Sequence, residues 1–233
     1  MAELRYPATP PPAFLFDLDG TLIDSVYQHV LAWRAALAAL GIDLSVWRIH
    51  RRIGMSGGLF VTALLRETGC SLSAAEIERL QHSHASEYGK RSDSVRPLPG
   101  AADLLRVLTQ QHVPWAIATS GYAVTARAAL GMLGLPADTP MVTRDMVHHA
   151  KPDPDLFLAA AARLGVDPTH MMVVGDSVWD LLAARRAGAL GIGLMSGGYG
   201  REELERAGAF RVYADPADLL SRLDELGVRQ AAP

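Results

Sequence analysis

Four short apolar runs, at residues 13–16, 113–118, 140–143 and 171–174, each stop abruptly where polar residues begin. Runs of this length without alternation read as strands buried on both faces, as in a parallel sheet. Helical periodicity fills the intervals at residues 101–110, 123–133, 154–164 and 179–187. This order predicts an α/β fold, an open Rossmann-like parallel sheet with crossover helices. Residues 188–194 and 211–213 add two further strands, and a last helix is expected from Pro216 to about Leu226.

Residues 26–94 break that alternation, because their apolar positions recur only at helical spacing. Leu31, Leu37 and Leu40 mark a first helix, residues 59–65 a second and residues 73–88 a third. Ser73 and Glu76 have the spacing of an N-terminal capping box on that third helix. The pattern predicts an all-α insertion: residues 1–24 plus 96–233 form the α/β core and residues 25–95 the helical domain. Asp24-Ser25 on one side and Arg96-Pro97-Leu98-Pro99-Gly100 on the other are the expected extended linkers. Trp33 and Trp47 are expected inside the helical domain.

With 49% of its 233 residues hydrophobic, the chain has enough apolar surface for a substantial core. Its 22 basic and 25 acidic residues are dispersed and leave a net charge of -3, so neither nucleic acid nor an anionic membrane is an expected partner. Cys70 is the only cysteine, which excludes an intramolecular disulfide; it reads as a packing residue. Residues 1–12, with Glu3 and several prolines, lack the basic start and apolar stretch of a signal peptide and read as an extended tail. No apolar stretch has the length of a membrane-spanning helix, and a cytoplasmic location is expected.

In an open α/β sheet, ligands bind at the carboxyl ends of the strands. Asp17 and Asp19 follow the first apolar run, Thr119, Ser120 and Gly121 the second, Lys151 the third after a loop, and Asp176 the fourth. Taken singly, an Asp-Gly pair makes a turn, Thr-Ser or Gly-Asp-Ser starts a helix, and Lys-Pro is a common surface dipeptide. Together they bring carboxylates, hydroxyls and a lysine to one edge of the sheet.

The segments Asp17-Leu18-Asp19-Gly20-Thr21-Leu22, Thr119, Lys151-Pro152-Asp153-Pro154 and Gly175-Asp176-Ser177-Val178-Trp179-Asp180 resemble, in order and spacing, the four motifs of the haloacid dehalogenase superfamily. The likeness is to its phosphatase branch with a helical cap and runs from about Phe14 into the closing helices. It implies Mg2+-dependent hydrolysis of a phosphomonoester through a phosphoaspartate on Asp17. Asp19 is the implied general acid and base, while Lys151, Thr119 and the groups at Leu18, Ser120 and Gly121 would clamp the phosphoryl oxygens. The implied metal ligands are the side chains of Asp17 and Asp176 and the backbone carbonyl of Asp19, with Asp180, Ser177 and Thr21 supporting them from behind. Elementary chemistry agrees: a carboxylate can attack a phosphoryl group only where the repulsion between two anions is neutralised, and a hard divalent cation with oxygen ligands does this. Dehalogenases of the superfamily lack a second aspartate such as Asp19. Phosphonate-cleaving relatives need a cap lysine, but the only lysines here are Lys90, at the end of the expected helical domain, and Lys151.

An insertion between the first two motifs implies a cap that closes over the site, shuts out bulk water and admits a small phosphorylated metabolite. Residues 51–58 fall where such caps carry their specificity loop, making Arg52, Gly54 and Ser56 candidate substrate contacts. Arg51 and Arg52 either bind a second anionic group or are solvated. His29 resembles a histidine of β-phosphoglucomutases and raises a phosphomutase reading, although Ile53 and Gly57 stand where those mutases carry lysine and arginine. His29 is equally placed to pack between the two domains. Tyr122 and Trp179 either line the pocket rim or pack helix starts, and His148-His149 reads as surface. A third reading, a phosphometabolite-binding protein without turnover, is disfavoured because Asp17, Asp19 and Lys151 are all present. A monomer or homodimer is expected.

Overall fold

The computed structural model of the chain describes residues 12–228. Strand β1 (Ala13–Phe16) is followed by a turn and β2 (Ile23–Asp24), after which four helices run in succession: α1 (Val26–Ala38), α2 (Val46–His50), α3 (Gly57–Thr68) and α4 (Ala74–Gly89). β3 (Arg96–Pro97) then pairs antiparallel with β2, so the two segments expected as extended linkers hold each other side by side. From there strands and helices alternate: α5 (Ala101–Gln110), β4 (Trp115–Ala118), α6 (Ala123–Met132), β5 (Met141–Val142), α7 (Asp155–Leu164), β6 (Met171–Gly175), α8 (Val178–Ala187), β7 (Leu190–Leu194), α9 (Arg201–Ala207), β8 (Ala209–Tyr213) and α10 (Pro216–Ser221).

The main sheet has the order β5-β4-β1-β6-β7-β8, and every pairing in it is parallel. Side chains alternate across it as the pleat requires. Phe14 and Phe16 pack on one face with Leu104, Leu108 and Leu130, while Leu15 packs on the other with Leu156, Phe157 and Ala183. With both faces covered, strands such as 13–16 and 171–174 are apolar at every position rather than at every second one. A separate cluster of Val30, Trp33, Leu37, Ile49, Phe60, Leu64 and Leu80 fills the space among the four consecutive helices. Burying each such leucine or phenylalanine contributes about 2 kcal/mol. No helix among the described residues is long and apolar enough to cross a membrane.

Several expectations need correction. Trp47 is 61% exposed, with the Arg48 guanidinium over its ring, and takes no part in the helical core. Cys70 is exposed in the turn that follows the left-handed Gly69 at the end of α3. Leu31 and Leu40 face outward because the buried stripe of α1 runs through Val26, Val30, Trp33 and Leu37, and the helix stops before Leu40. The last helix breaks at Arg222 into α10 and a 3-10 turn, Leu223–Leu226. Helices α2 and α9 were not anticipated. The expected tail at residues 1–12 lies, but for Pro12, outside the described residues.

Candidate active site

The chain leaves β1 at Asp17, whose N–H donates to the Val174 carbonyl of β6 at 2.9 Å, so the aspartate stands at the carboxyl end of the two central strands. The following turn is closed by Gly20 N–H to the Ile23 carbonyl at 2.7 Å and Leu22 N–H to the Leu18 carbonyl at 2.9 Å. Gly20 has φ 79°, a left-handed conformation that favours glycine, and a Cβ there would come within 2.5 Å of the Asp176 carboxylate. A side chain at Gly197 would overlap the same carboxylate. Bare backbone therefore cradles Asp176 from two sides, and Thr21 Oγ1 donates to its Oδ1 at 3.1 Å.

Lys151 comes from the loop before α7 and is fully buried, with its ammonium ion-paired to Asp17 and, at 2.7 Å, to Asp180 Oδ1. Asp180 sits in the first turn of α8, where its Oδ2 accepts from the N–H and hydroxyl of Ser177 at 3.1 and 2.5 Å. One carboxylate oxygen from each of Asp17, Asp176 and Asp180 lies within 4.8 Å of the other two. Burial first, and then the neighbouring carboxylates, push Asp17 and Asp176 above the ordinary aspartate range; Lys151 opposes this without cancelling it. Burial also works against the charge of Lys151, but Asp17 and Asp180 outweigh it and hold the ammonium protonated.

Three buried carboxylates around one buried cation leave surplus negative charge among oxygen donors in a space too tight for a bulky side chain. That donor set fits a hard divalent cation, which needs oxygen ligands and would relieve the repulsion that raises Asp17 and Asp176.

Asp19 points away from this cluster. Its Oδ1 accepts from Ser25 Oγ at 2.5 Å and lies 3.3 Å from His29 Nε2. Burial disfavours its charge, but His29 and the Ser25 hydroxyl hold it below the usual aspartate range. On the β4 side, Thr119 N–H donates to the Val142 carbonyl at 3.0 Å, and Thr119 Oγ1 accepts from Gly121 N–H at 2.9 Å, shaping a tight turn above the strand. Ser120 Oγ donates to the Gly54 carbonyl at 3.1 Å, and Ser56 N–H donates to the Lys151 carbonyl at 3.1 Å. Trp179 Nε1 and the Tyr199 hydroxyl both donate to the Arg51 carbonyl, at 3.2 and 3.0 Å. Through these bonds the 51–56 segment is fastened onto the carboxyl edge of the sheet.

Between that edge and the helices lies a partly open cavity of about 170 Å³. Asp17, Asp19, Asp176, Thr119, Ser120, Gly121, His29 and Gly54 reach it. Arg52 and Ser56 do not line it. The Arg52 guanidinium is drawn to Glu67 at 3.2 Å, and Ser56 is buried at the start of α3, so the fold does not bring these two expected contacts to the cavity. Trp179 is likewise occupied with the Arg51 carbonyl, whereas Tyr122 stands at the cavity mouth. His148 and His149 are exposed as expected.

Sequence reading missed most of the opposite wall, which is formed by Trp33, Phe60, Gln81, His84 and Tyr88. The aromatic members pack ring on ring: Tyr88 on His29 at 4.0 Å, His84 on Trp33 at 4.0 Å and Trp33 near Phe60 at 4.3 Å. A signal was present, since Gln81, His84, Ala85 and Tyr88 recur at i, i+3, i+4 and i+7 and therefore share one face of α4.

The fold and this arrangement of residues define a class. The chain matches the family of haloacid dehalogenase-like hydrolases over residues 11–188, and it belongs to that family. Among characterised relatives it is 37% identical to hexitol phosphatase A of Escherichia coli K12, over 75% of this chain and 79% of that one. It is 34% identical to the E. coli K12 fructose-1-phosphate phosphatase YqaB, over 75% of this chain and 91% of that one. Among solved structures, a hydrolase from Pseudomonas syringae superposes with a TM-score of 0.90 at 54% identity, covering 92% of this chain and 98% of the other.

Proposed function

We propose that this protein is a Mg2+-dependent phosphatase in which Asp17 attacks a small phosphomonoester and carries the phosphoryl group as an acyl phosphate. Its standing as a phosphoric monoester hydrolase rests on the family and on the phosphatases among its relatives. The observation that carries the mechanism is the buried Lys151, paired at once with Asp17 and Asp180 beneath a cavity onto which Asp17 opens. Helices α1–α4 serve in this reading as the cap, residues 25–95, over a core of residues 1–24 plus 96–233.

A carboxylate oxygen of Asp17 forms a bond to phosphorus as the bond to the ester oxygen breaks. Lys151, Thr119 and the backbone amides beyond Asp17 and Thr119 hold the phosphoryl oxygens where charge gathers. Mg2+ would be held by the side chains of Asp17 and Asp176 and the carbonyl of Asp19, and would supply charge neutralisation between nucleophile and phosphoryl group. Asp180 and Ser177 fix Lys151, and Thr21 fixes Asp176. Asp19 protonates the leaving oxygen and later takes a proton from the water that cleaves the phosphoaspartate. Its ionised resting form, stabilised by His29 and Ser25, is the base of that second step. A phosphoryl dianion beside it raises its affinity for the proton needed in the first. The phosphomutase reading loses ground because Arg52, a candidate for gripping a second phosphate, is turned away to Glu67.

Phosphate release from fructose 1-phosphate, a hexitol phosphate and p-nitrophenyl phosphate tests the proposal. Turnover is expected with Mg2+ and not with excess chelator, and Asp176→Ala is expected to need at least about tenfold more Mg2+ with partial rescue at saturation. Undiminished turnover in chelator, or an unchanged Mg2+ dependence in Asp176→Ala, contradicts it.

A further inference from the structure

The wall of the cavity facing the reacting carboxylates holds no permanent cation among the described residues. None of the described residues that line it is a lysine or arginine, and Lys151 is engaged with Asp17 and Asp180 on the opposite side. The nearby arginines are committed elsewhere. Arg51 is ion-paired to Glu203 and lies over the Tyr199 ring at 4.3 Å. Arg48 and Arg52 share Glu67, at 2.5 and 3.2 Å. Of the two histidines, His29 is held against Asp19, and His84 is kept neutral above about pH 3, chiefly by burial and then by the neighbouring His29.

What the wall offers instead is apolar surface from Trp33, Phe60 and Met55, with the half-buried Gln81 among them. The hydroxyls of Ser120 and Thr125 are spent on the Gly54 and Tyr122 carbonyls. The Gln81 amide has no hydrogen-bond partner among the described residues. An amide both donates and accepts, as an alcohol hydroxyl does, so it can pair with a polyol in either sense. A carboxylate or second phosphate placed there would lose part of its hydration and meet no lysine or arginine side chain in return.

We infer that the pocket selects phosphomonoesters whose leaving group is uncharged and hydroxylated, and that Gln81 on α4 is the specificity-determining residue that meets those hydroxyls. This rests on the phosphatase reading and narrows it: anionic leaving groups, such as glycolate or a sugar bearing a second phosphate, are rejected by the absence of a countercharge. Rejection here is built from an unpaired charge rather than a clash.

The test is kcat/KM for a hexitol phosphate and fructose 1-phosphate against phosphoglycolate and fructose 1,6-bisphosphate, with p-nitrophenyl phosphate reporting on the chemistry alone. The uncharged leaving groups are expected to be favoured about 100-fold. Gln81→Lys, and independently Gln81→Arg, are expected to shift that ratio towards the anionic esters by about tenfold or more, since each adds the missing cation. Equal turnover of both groups by the natural protein overturns the inference, as does a ratio unmoved in folded Gln81 variants. Loss of p-nitrophenyl phosphate turnover in the natural protein would instead strike at the phosphatase reading and take the inference with it.

Discussion

At Lys151 burial and charge pull in opposite directions, and the contest explains why the site is built from several charges. An ammonium with no exposure is tolerated only because two carboxylates meet it, and those carboxylates gain in turn from it. His84 shows the opposite outcome, a buried ring that the pull of Asp19 is too weak to keep protonated. Its pKa falls from 6.5 to about 3, through burial and then the adjacent His29, so the unfolded chain takes up a proton at a pH where the folded chain does not. The stability present above about pH 6.5 is therefore lost progressively as the pH falls towards 3. Between pH 7.5 and 5 this amounts to at most about 2 kcal/mol. Urea midpoints at the two pH values should show a smaller drop for His84→Gln than for the natural protein, and equal drops would contradict the assignment. The gathering of Asp17, Asp19, Thr119, Lys151 and Asp176 at one edge was legible in the sequence because polar residues break off the apolar runs at or beyond the strand ends. Trp33, Phe60, Gln81 and His84 were not singled out for the cavity, because aromatic or amide residues on a helix look the same in sequence whether they face a core or a ligand.

Elements with strong local signals were the ones the sequence announced. Helix α4 begins at Ser73, whose hydroxyl accepts from Glu76 N–H at 3.4 Å while the Glu76 carboxylate accepts from Ser73 N–H at 2.8 Å, as the spacing predicted. Because α4 carries Gln81, His84 and Tyr88, its first turn helps to hold the cavity wall. Ser73→Ala is expected to cost about 1 kcal/mol in urea denaturation, through loss of the reciprocal cap. A change below about 0.3 kcal/mol would show that tertiary packing alone holds this end. Short elements escaped notice for a physical reason: the two-residue β2 and β3, and helices α2 and α9 of five and seven residues, span too few positions for a period to register. Leu31 lies on α1 but faces solvent while its neighbour Val30 is buried, because one residue along a helix is a turn of about 100°.

At the scale of the molecule, the pattern of apolar runs announced a parallel sheet. Its order could not be read, since pairing β1 with both β4 and β6 depends on contacts between residues far apart in the chain. That pairing puts the ends of β1, β4 and β6 side by side, which brings Asp17, Thr119 and Asp176 together. The 51–56 segment is fastened onto the same edge beside them. A buried lysine amid three carboxylates next to this cavity suits chemistry on an anionic ester. The most direct measurement is mass spectrometry of the protein mixed with substrate and Mg2+ and quenched in acid within one turnover. One phosphoryl group on the peptide containing Asp17, absent in chelator and in Asp17→Asn, is the predicted result. A phosphoryl group on another residue, or full turnover by a folded Asp17→Asn protein, would contradict the account.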